Sequence, residues 1–312
     1  AVTKFIGMQS AIALNTRRER LKDIRVREAL TMALDFEWQN RVFHHDSRQR
    51  ARSYFAGSRF AATGAPTGEE LELLSRFRDQ LDPRVFDQHF SLPASPGRGF
   101  YRQGLERAQS LLAEAGWRIK AGQLVNADGE QFTLELLTQN PANQRILLPY
   151  IEALKLLGID AALRLADSVV AINLLRERDY DAYVRGHDFL NPPGAELRGA
   201  FSSQTAEVQM SYNMAGIRNP VIDSLIKEVE LAANIEAATS ALKALDRVLL
   251  WSFYNIPLHA PEGERFLLWD KFGRPDQEYI ARYEYLVGSS LRVIDSWWFD
   301  AEKAAKLSTD GR

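Results

Sequence analysis

The sequence predicts an α/β fold, and three observations carry that prediction. Strand-like and helix-like stretches alternate from Phe132 to Arg185, the pattern of a sheet whose crossovers are helices. Glycines stand just past two predicted helices, Gly116 and Gly158, where a left-handed residue ends a helix cheaply. The composition, 46% hydrophobic and 26% charged over 312 residues, is that of a globular chain long enough for about two domains.

Taken in order, Lys4 to Leu14 is apolar with weak alternation and predicts one strand. Asp23 is placed as an N-cap. Ile24, Ala29, Leu30, Ala33 and Leu34 then form one apolar face of a helix reaching about Phe43. Residues 53 to 99 lack periodicity apart from a helical run near Glu69 to Leu81, and predict irregular surface structure. Leu105, Ala108, Leu111, Leu112 and Ala115 mark an amphipathic helix that Gly116 stops. Turns at Ala121-Gly122 and at 126–129 flank a short strand. The alternating run then reads strand 132–138, helix 143–157, strand 159–165, helix 168–178 and strand 180–185, a βαβαβ unit with parallel strands. The loop from Gly186 to Gly199 follows the last of these, on the side where open α/β sheets bind ligands. Asn219 with Pro220 begins another helix, and a further one spans about Glu236 to Trp251. A strand at Arg265–Trp269, the pair Trp297-Trp298 and a polar tail expected to fray from Ala301 finish the chain.

Composition also excludes several functions. With 39 basic and 41 acidic side chains the net charge is -2, so no overall field favours nucleic acid or an anionic membrane. The local basic excess between Arg17 and Arg52 lacks interleaved stacking aromatics and is expected to be a solvated helical face. Absence of cysteine removes disulfides, thiolate chemistry and Cys-ligated metals. The longest apolar stretch, Val248 to Leu258, is too short and too interrupted to span a membrane. Among the five histidines His44 and His45 are adjacent and cannot share a helix face, and no HExxH occurs, so no metal site is expected. Gly97-Arg98-Gly99 follows no strand and lacks the third glycine of a dinucleotide fingerprint. Neither a nucleophile elbow nor a Walker sequence is present, and no set of nucleophile, base and oxyanion donor assembles. The chain is therefore expected to be neither an enzyme nor a carrier of a cofactor.

A series of short stretches resembles the family 5 extracellular solute-binding proteins of ABC importers, above all the oligopeptide-binding branch that includes the microcin C-binding Yej type. It runs from Leu14-Asn15-Thr16-Arg17-Arg18 and 23–30 (DIRVREAL) through Ala33-Leu34-Asp35, Ser53-Tyr54-Phe55-Ala56 and 111–117 (LLAEAGW). It continues with 246–251 (DRVLLW), 269–275 (WDKFGRP) and 296–300 (SWWFD). The series in this order covers nearly the whole chain. It implies a lobe of the type II periplasmic-binding-protein kind, with a βαβαβ core plus a C-terminal return segment to lobe I, the N-terminal part of lobe I being absent. Residues 1–14 would be the crossover strand, 15–255 the ligand-binding lobe II and 256–312 the return. The implied role is non-catalytic: binding oligopeptides or peptide-like solutes between two lobes and delivering them to a membrane permease. The protein would be a periplasmic monomer touching the membrane only through that permease or a lipid anchor. A sugar or a peptide–nucleotide conjugate is the alternative solute, and a hydrolase with an unrecognised site the rival class.

Peptides of varied sequence share backbone amides, an ammonium and a carboxylate, so a permissive site must meet those groups. Asp188, four residues before Pro192 in Asp188-Phe189-Leu190-Asn191-Pro192, resembles the ammonium-binding loop of peptide-binding relatives, which usually place a tryptophan where this chain has Arg185. A solvated loop aspartate is the competing reading. Arg145 stands where dipeptide-binding relatives hold a carboxylate, with a plain surface arginine as the alternative. Tyr212 and Asn213 match a cleft-side stretch of the family or serve a strand edge. His187 and Asn191 complete the candidate ligand contacts, a hydrogen-bonded loop histidine being the favoured reading of His187.

Overall fold

A computed structural model of the chain describes residues 6–260, 269–276 and 297–309. Its centre is a six-stranded sheet in the order β3-β10-β2-β8-β6-β7. The strands are β2 (Ser10–Leu14), β3 (Gln49–Arg50), β6 (Thr133–Thr138), β7 (Asp160–Leu165), β8 (Ala182–Val184) and β10 (Asn255–Ala260). β6 pairs in parallel with β7 on one side and β8 on the other. The predicted βαβαβ unit is therefore present, its crossovers being α6 (Gln144–Leu156) and α7 (Ser168–Glu177). Leu134, Leu136 and Leu137 are wholly buried because helices cover both faces of this parallel region.

Strand β2 pairs antiparallel with both β8 and β10. β10 thus runs in the direction of β6 and β8, and the carboxyl ends of all three strands lie at one edge of the sheet. Below the sheet, α1 (Ile24–Met32) packs on α5 (Arg102–Glu114), and α9 (Pro220–Leu231) packs on α10 (Ile235–Trp251). Asn219 caps α9 through Val221 N at 2.9 Å, with Pro220 at the first position where its missing N–H costs nothing.

The irregular segment after residue 51 holds only short helices, α3 (Gly68–Ser75) and α4 (Arg84–Asp87). Polar contacts with α10 fix it. The wholly buried Asp246 carboxylate accepts from Ser53 Oγ at 2.7 Å, Tyr54 N at 2.8 Å and Ala62 N at 2.8 Å. Burial pushes its carboxyl up to about 7, while these donors and Arg247 pull it down. Beside it, buried Arg247 donates to Glu70 at 2.9 Å and to the Gly64 carbonyl at 3.0 Å.

Four expectations need correction. The first strand is two, β1 (Ile6–Met8) and β2, which break at Gln9 because β1 leaves the main sheet to pair elsewhere; its first residues, 4–5, lie outside the described ones. The helix drawn from Asp23 to about Phe43 is also two. α1 ends at Met32, and Asp35 starts α2 (Phe36–His44) by accepting from Trp38 N at 3.0 Å. The ligand-side loop contains a strand, β9 (His187–Phe189), and a short helix, α8 (Glu196–Phe201). The tail does not fray from Ala301: Asp300 Oδ1 accepts from Glu302 N and Lys303 N, each at 3.1 Å, and caps α11 (Ala301–Thr309). A two-stranded hairpin, β4 (Arg118–Lys120) with β5 (Gln123–Val125), precedes β6, and β11 (Phe272–Gly273) pairs with β12 (Trp298–Phe299). Of the strand predicted at 265–269, only Trp269 is described. Among the described residues no helix is long and apolar enough to cross a membrane.

Candidate ligand-binding site

The shared carboxyl edge of β6, β8 and β10 gathers three segments far apart in sequence: the turn into α6, the residues after β8, and the end of β10. The second is the most elaborate. Past β8 the chain turns at Gly186 and forms β9, which pairs antiparallel with β1 so that Gly7 faces Asp188 and Met8 faces His187. The crossing is close. A Cβ on Gly186 would run into the Gln9 carbonyl oxygen, and one on Gly7 into that of His187. Gly7 also sits at φ +149, which side-chain-bearing residues avoid.

His187 points into an aromatic cluster, 5.3 Å from the Phe201 ring, 5.6 Å from Tyr54 and stacked on Phe189 at 6.0 Å. Its Nε2 lies 3.2 Å from Asn255 Nδ2, which also donates to the Tyr54 hydroxyl at 2.9 Å. The Asn255 amide thus joins the imidazole of His187 to the Tyr54 hydroxyl. Burial, with the Arg185 charge adding to it, lowers the His187 pKa to about 4 and keeps the ring neutral.

Asp188 is the next residue and faces the other way, exposed. Partial burial pushes its carboxyl up, and Arg185 opposes that shift. The Arg185 guanidinium lies 4.7 Å over the Tyr212 ring. Tyr212 belongs to a loop whose carbonyls two arginines hold. Arg17 donates to Ala206 and Asn213, Arg178 donates to Val208, and the Tyr180 hydroxyl donates to Met214 at 2.8 Å. Asn191 is half-buried in the next turn, joined to Pro192 by a cis peptide. Glu196 fixes that turn by accepting from Leu190 N at 3.0 Å and Gly194 N at 3.1 Å.

Asn213 leaves the candidate set. It is wholly buried, donates to the Ser202 and Ile217 carbonyls and accepts from Ile217 N at 2.8 Å. It locks the loop that presents Tyr212 and has no surface for a ligand.

Arg145 is exposed in the first turn of α6, on the other side of the edge. It stands near a group of basic residues that the sequence did not join, two arginines with two neutral histidines. His44, at the end of α2, is lowered by burial and by the charges of Arg48, Arg145 and His45. His259, near the end of β10, is lowered to about 4 by burial and by Arg48 and His44. The His44 and His259 rings are 6.1 Å apart, and His44 Nε2 is buried without a hydrogen-bond partner. Residues 44, 48, 145 and 259 come from three segments, so no spacing rule could have joined them. Among the described residues no three His, Asp or Glu side chains are grouped to hold a metal.

Chemically, this edge offers the Asp188 carboxylate beside the Arg185 guanidinium, and, at the start of α6 and after α2, the cations Arg145 and Arg48. Residues 6–208 match the family model of the bacterial extracellular solute-binding proteins, family 5, middle region. The chain belongs to this family. It is 38% identical over 298 residues to the YejA protein of Escherichia coli (strain K12), covering 95% of this chain and 48% of that protein. It is 36% identical to an Agrobacterium fabrum relative named "Probable peptide-binding protein YejA", covering 95% of this chain and 47% of the relative. The chain thus spans about half the length of these relatives. Among solved structures, it superposes on the oligopeptide-binding protein AppA of Bacillus subtilis, in complex with a nonapeptide. The TM-score is 0.63 at 19% identity, covering 96% of this chain and 52% of AppA. That likeness shows the fold, the α/β architecture of type II periplasmic binding proteins, of which this chain carries part.

Proposed function

We propose that the chain is the ligand-binding half of a non-catalytic, periplasmic solute-binding component that holds oligopeptides or peptide-like solutes and passes them to an ABC permease. The observation that carries this is the placement of opposite charges beyond the carboxyl ends of neighbouring parallel strands. Asp188 after β8 can meet an ammonium, and Arg145 after β6 can meet a carboxylate. His187, Tyr212 and Asn191 flank Asp188; Arg48 adds positive charge on the Arg145 side, beside the neutral rings of His44 and His259. Neutral His187 serves as part of the wall.

On this reading β2 and β10 are the crossovers to a second lobe, with lobe II at 15–255 and the return beyond it. The working form is a monomer that meets the membrane through the permease or a lipid anchor. Names among the relatives and the peptide in AppA support peptide as the solute class. Mass spectrometry of small molecules retained by the full-length protein tests it. Recovery of short peptides is the expected result; recovery of a processed substrate and its product would overturn it.

A further inference from the structure

Several partly or wholly buried arginines are neutralised: Arg18 by Asp179 and Asp181, Arg84 by Glu28 and Asp82, Arg247 by Glu70. Arg185 is not. Among the described residues no carboxylate lies within 4.0 Å of it and no acceptor takes a hydrogen bond from its guanidinium, although it is half-buried and one turn of chain from Asp188. What holds it is the face of Tyr212, 4.7 Å away. A cation held over a ring spends none of its N–H donors, which stay open for a planar acceptor. The stack is also fixed in advance, because Arg17, Arg178 and Tyr180 tie down the loop that carries Tyr212.

A guanidinium here changes what Asp188 can accept. A ligand that brings only an ammonium to Asp188 places it beside the Arg185 cation and is held less tightly. A ligand that brings an ammonium with a carboxylate close behind satisfies both groups, the carboxylate taking a bidentate pair from Arg185. We propose that Arg185, clamped by Tyr212, selects peptides carrying a carboxylate side chain within their first two residues. This rests on the peptide-binding reading above and specifies the ligand of that site.

The test is calorimetric titration of the full-length protein with matched tripeptides, Ala-Asp-Ala against Ala-Asn-Ala and Asp-Ala-Ala against Asn-Ala-Ala. In one of the two pairs the acidic member binds at least about tenfold tighter, the value of a charged hydrogen bond. Arg185→Met removes that preference and leaves the neutral peptide bound as well or better, which also shows that the variant is folded. Tyr212→Leu, which keeps the cation and frees it to move, reduces the preference without abolishing it. Equal affinities within both pairs, or a preference that survives Arg185→Met, overturn the assignment while leaving peptide binding intact. Failure of all four peptides to bind the unaltered protein overturns the peptide reading and this selection with it.

Discussion

Asp188 and two histidines of this edge act in their deprotonated forms, the carboxylate for binding and the neutral rings of His187 and His259 for stability. Asp188→Asn in the full-length protein is expected to weaken peptides with a free amine by about tenfold, as loss of a charge-assisted hydrogen bond does; affinities for amine-free analogues, measured alongside, stay unchanged. His187 and His259 are lowered from 6.5 to about 4. The unfolded chain therefore takes up protons that the folded chain refuses. The stability these neutral rings carry is intact above 6.5 and is lost as pH falls toward 4, by at most about 1.4 kcal/mol per pH unit for each ring. Asp246, pushed up to about 7, works the other way, so the comparison is with His259→Gln. Melting temperature against pH should fall less steeply below 6.5 in that variant. At this scale the sequence was partly legible. Asp188 and Arg145 could be placed beyond the strand ends because each follows a recognisable strand, whereas the burial of Asn213 was hidden because a polar residue in a loop gives no sign that every group it has is already bonded.

Among elements, the β1–β9 crossing is the most exacting. Gly186→Ala has nowhere to put its methyl except against the Gln9 carbonyl, and the ribbon must open. Strained substitutions of this kind cost about 2–4 kcal/mol, readable as a lower denaturation midpoint. Peptide affinity is expected to fall with it, since His187 and Asp188 lose their frame. No such feature could be foreseen from the sequence, where Gly186 reads as an ordinary loop glycine and β9 is three residues long. By contrast the βαβαβ unit was legible, because five consecutive elements keep their periodicity and Gly158 closes α6 at φ +78. The α1–α2 break was hidden for the opposite reason: Ala33, Leu34 and Phe36 continue the apolar stripe across it, and only Asp35 marks the new start.

For the whole molecule, the irregular region after residue 51 buries Tyr54, Phe55, Phe60 and Leu74 in the core and is also tied down by one carboxylate reaching across from α10. Asp246→Ala strands Tyr54 N, Ala62 N and Ser53 Oγ without an acceptor in the interior. The expected cost is about 3–5 kcal/mol, measured by chemical denaturation, with Asp246→Asn milder because it keeps an oxygen in place. The long-range partners of Asp246 were invisible beforehand, although its motif was among those that matched the family. The pairing of β2 with β10 has a different consequence. Adjacent strands sit about 4.8 Å apart, so everything from residue 15 to residue 254 departs and comes back at nearly the same point in space. Such a stretch is a cassette: it can be exchanged between homologues, or sealed end to end by a short splice, without asking the remainder of the polypeptide to change course.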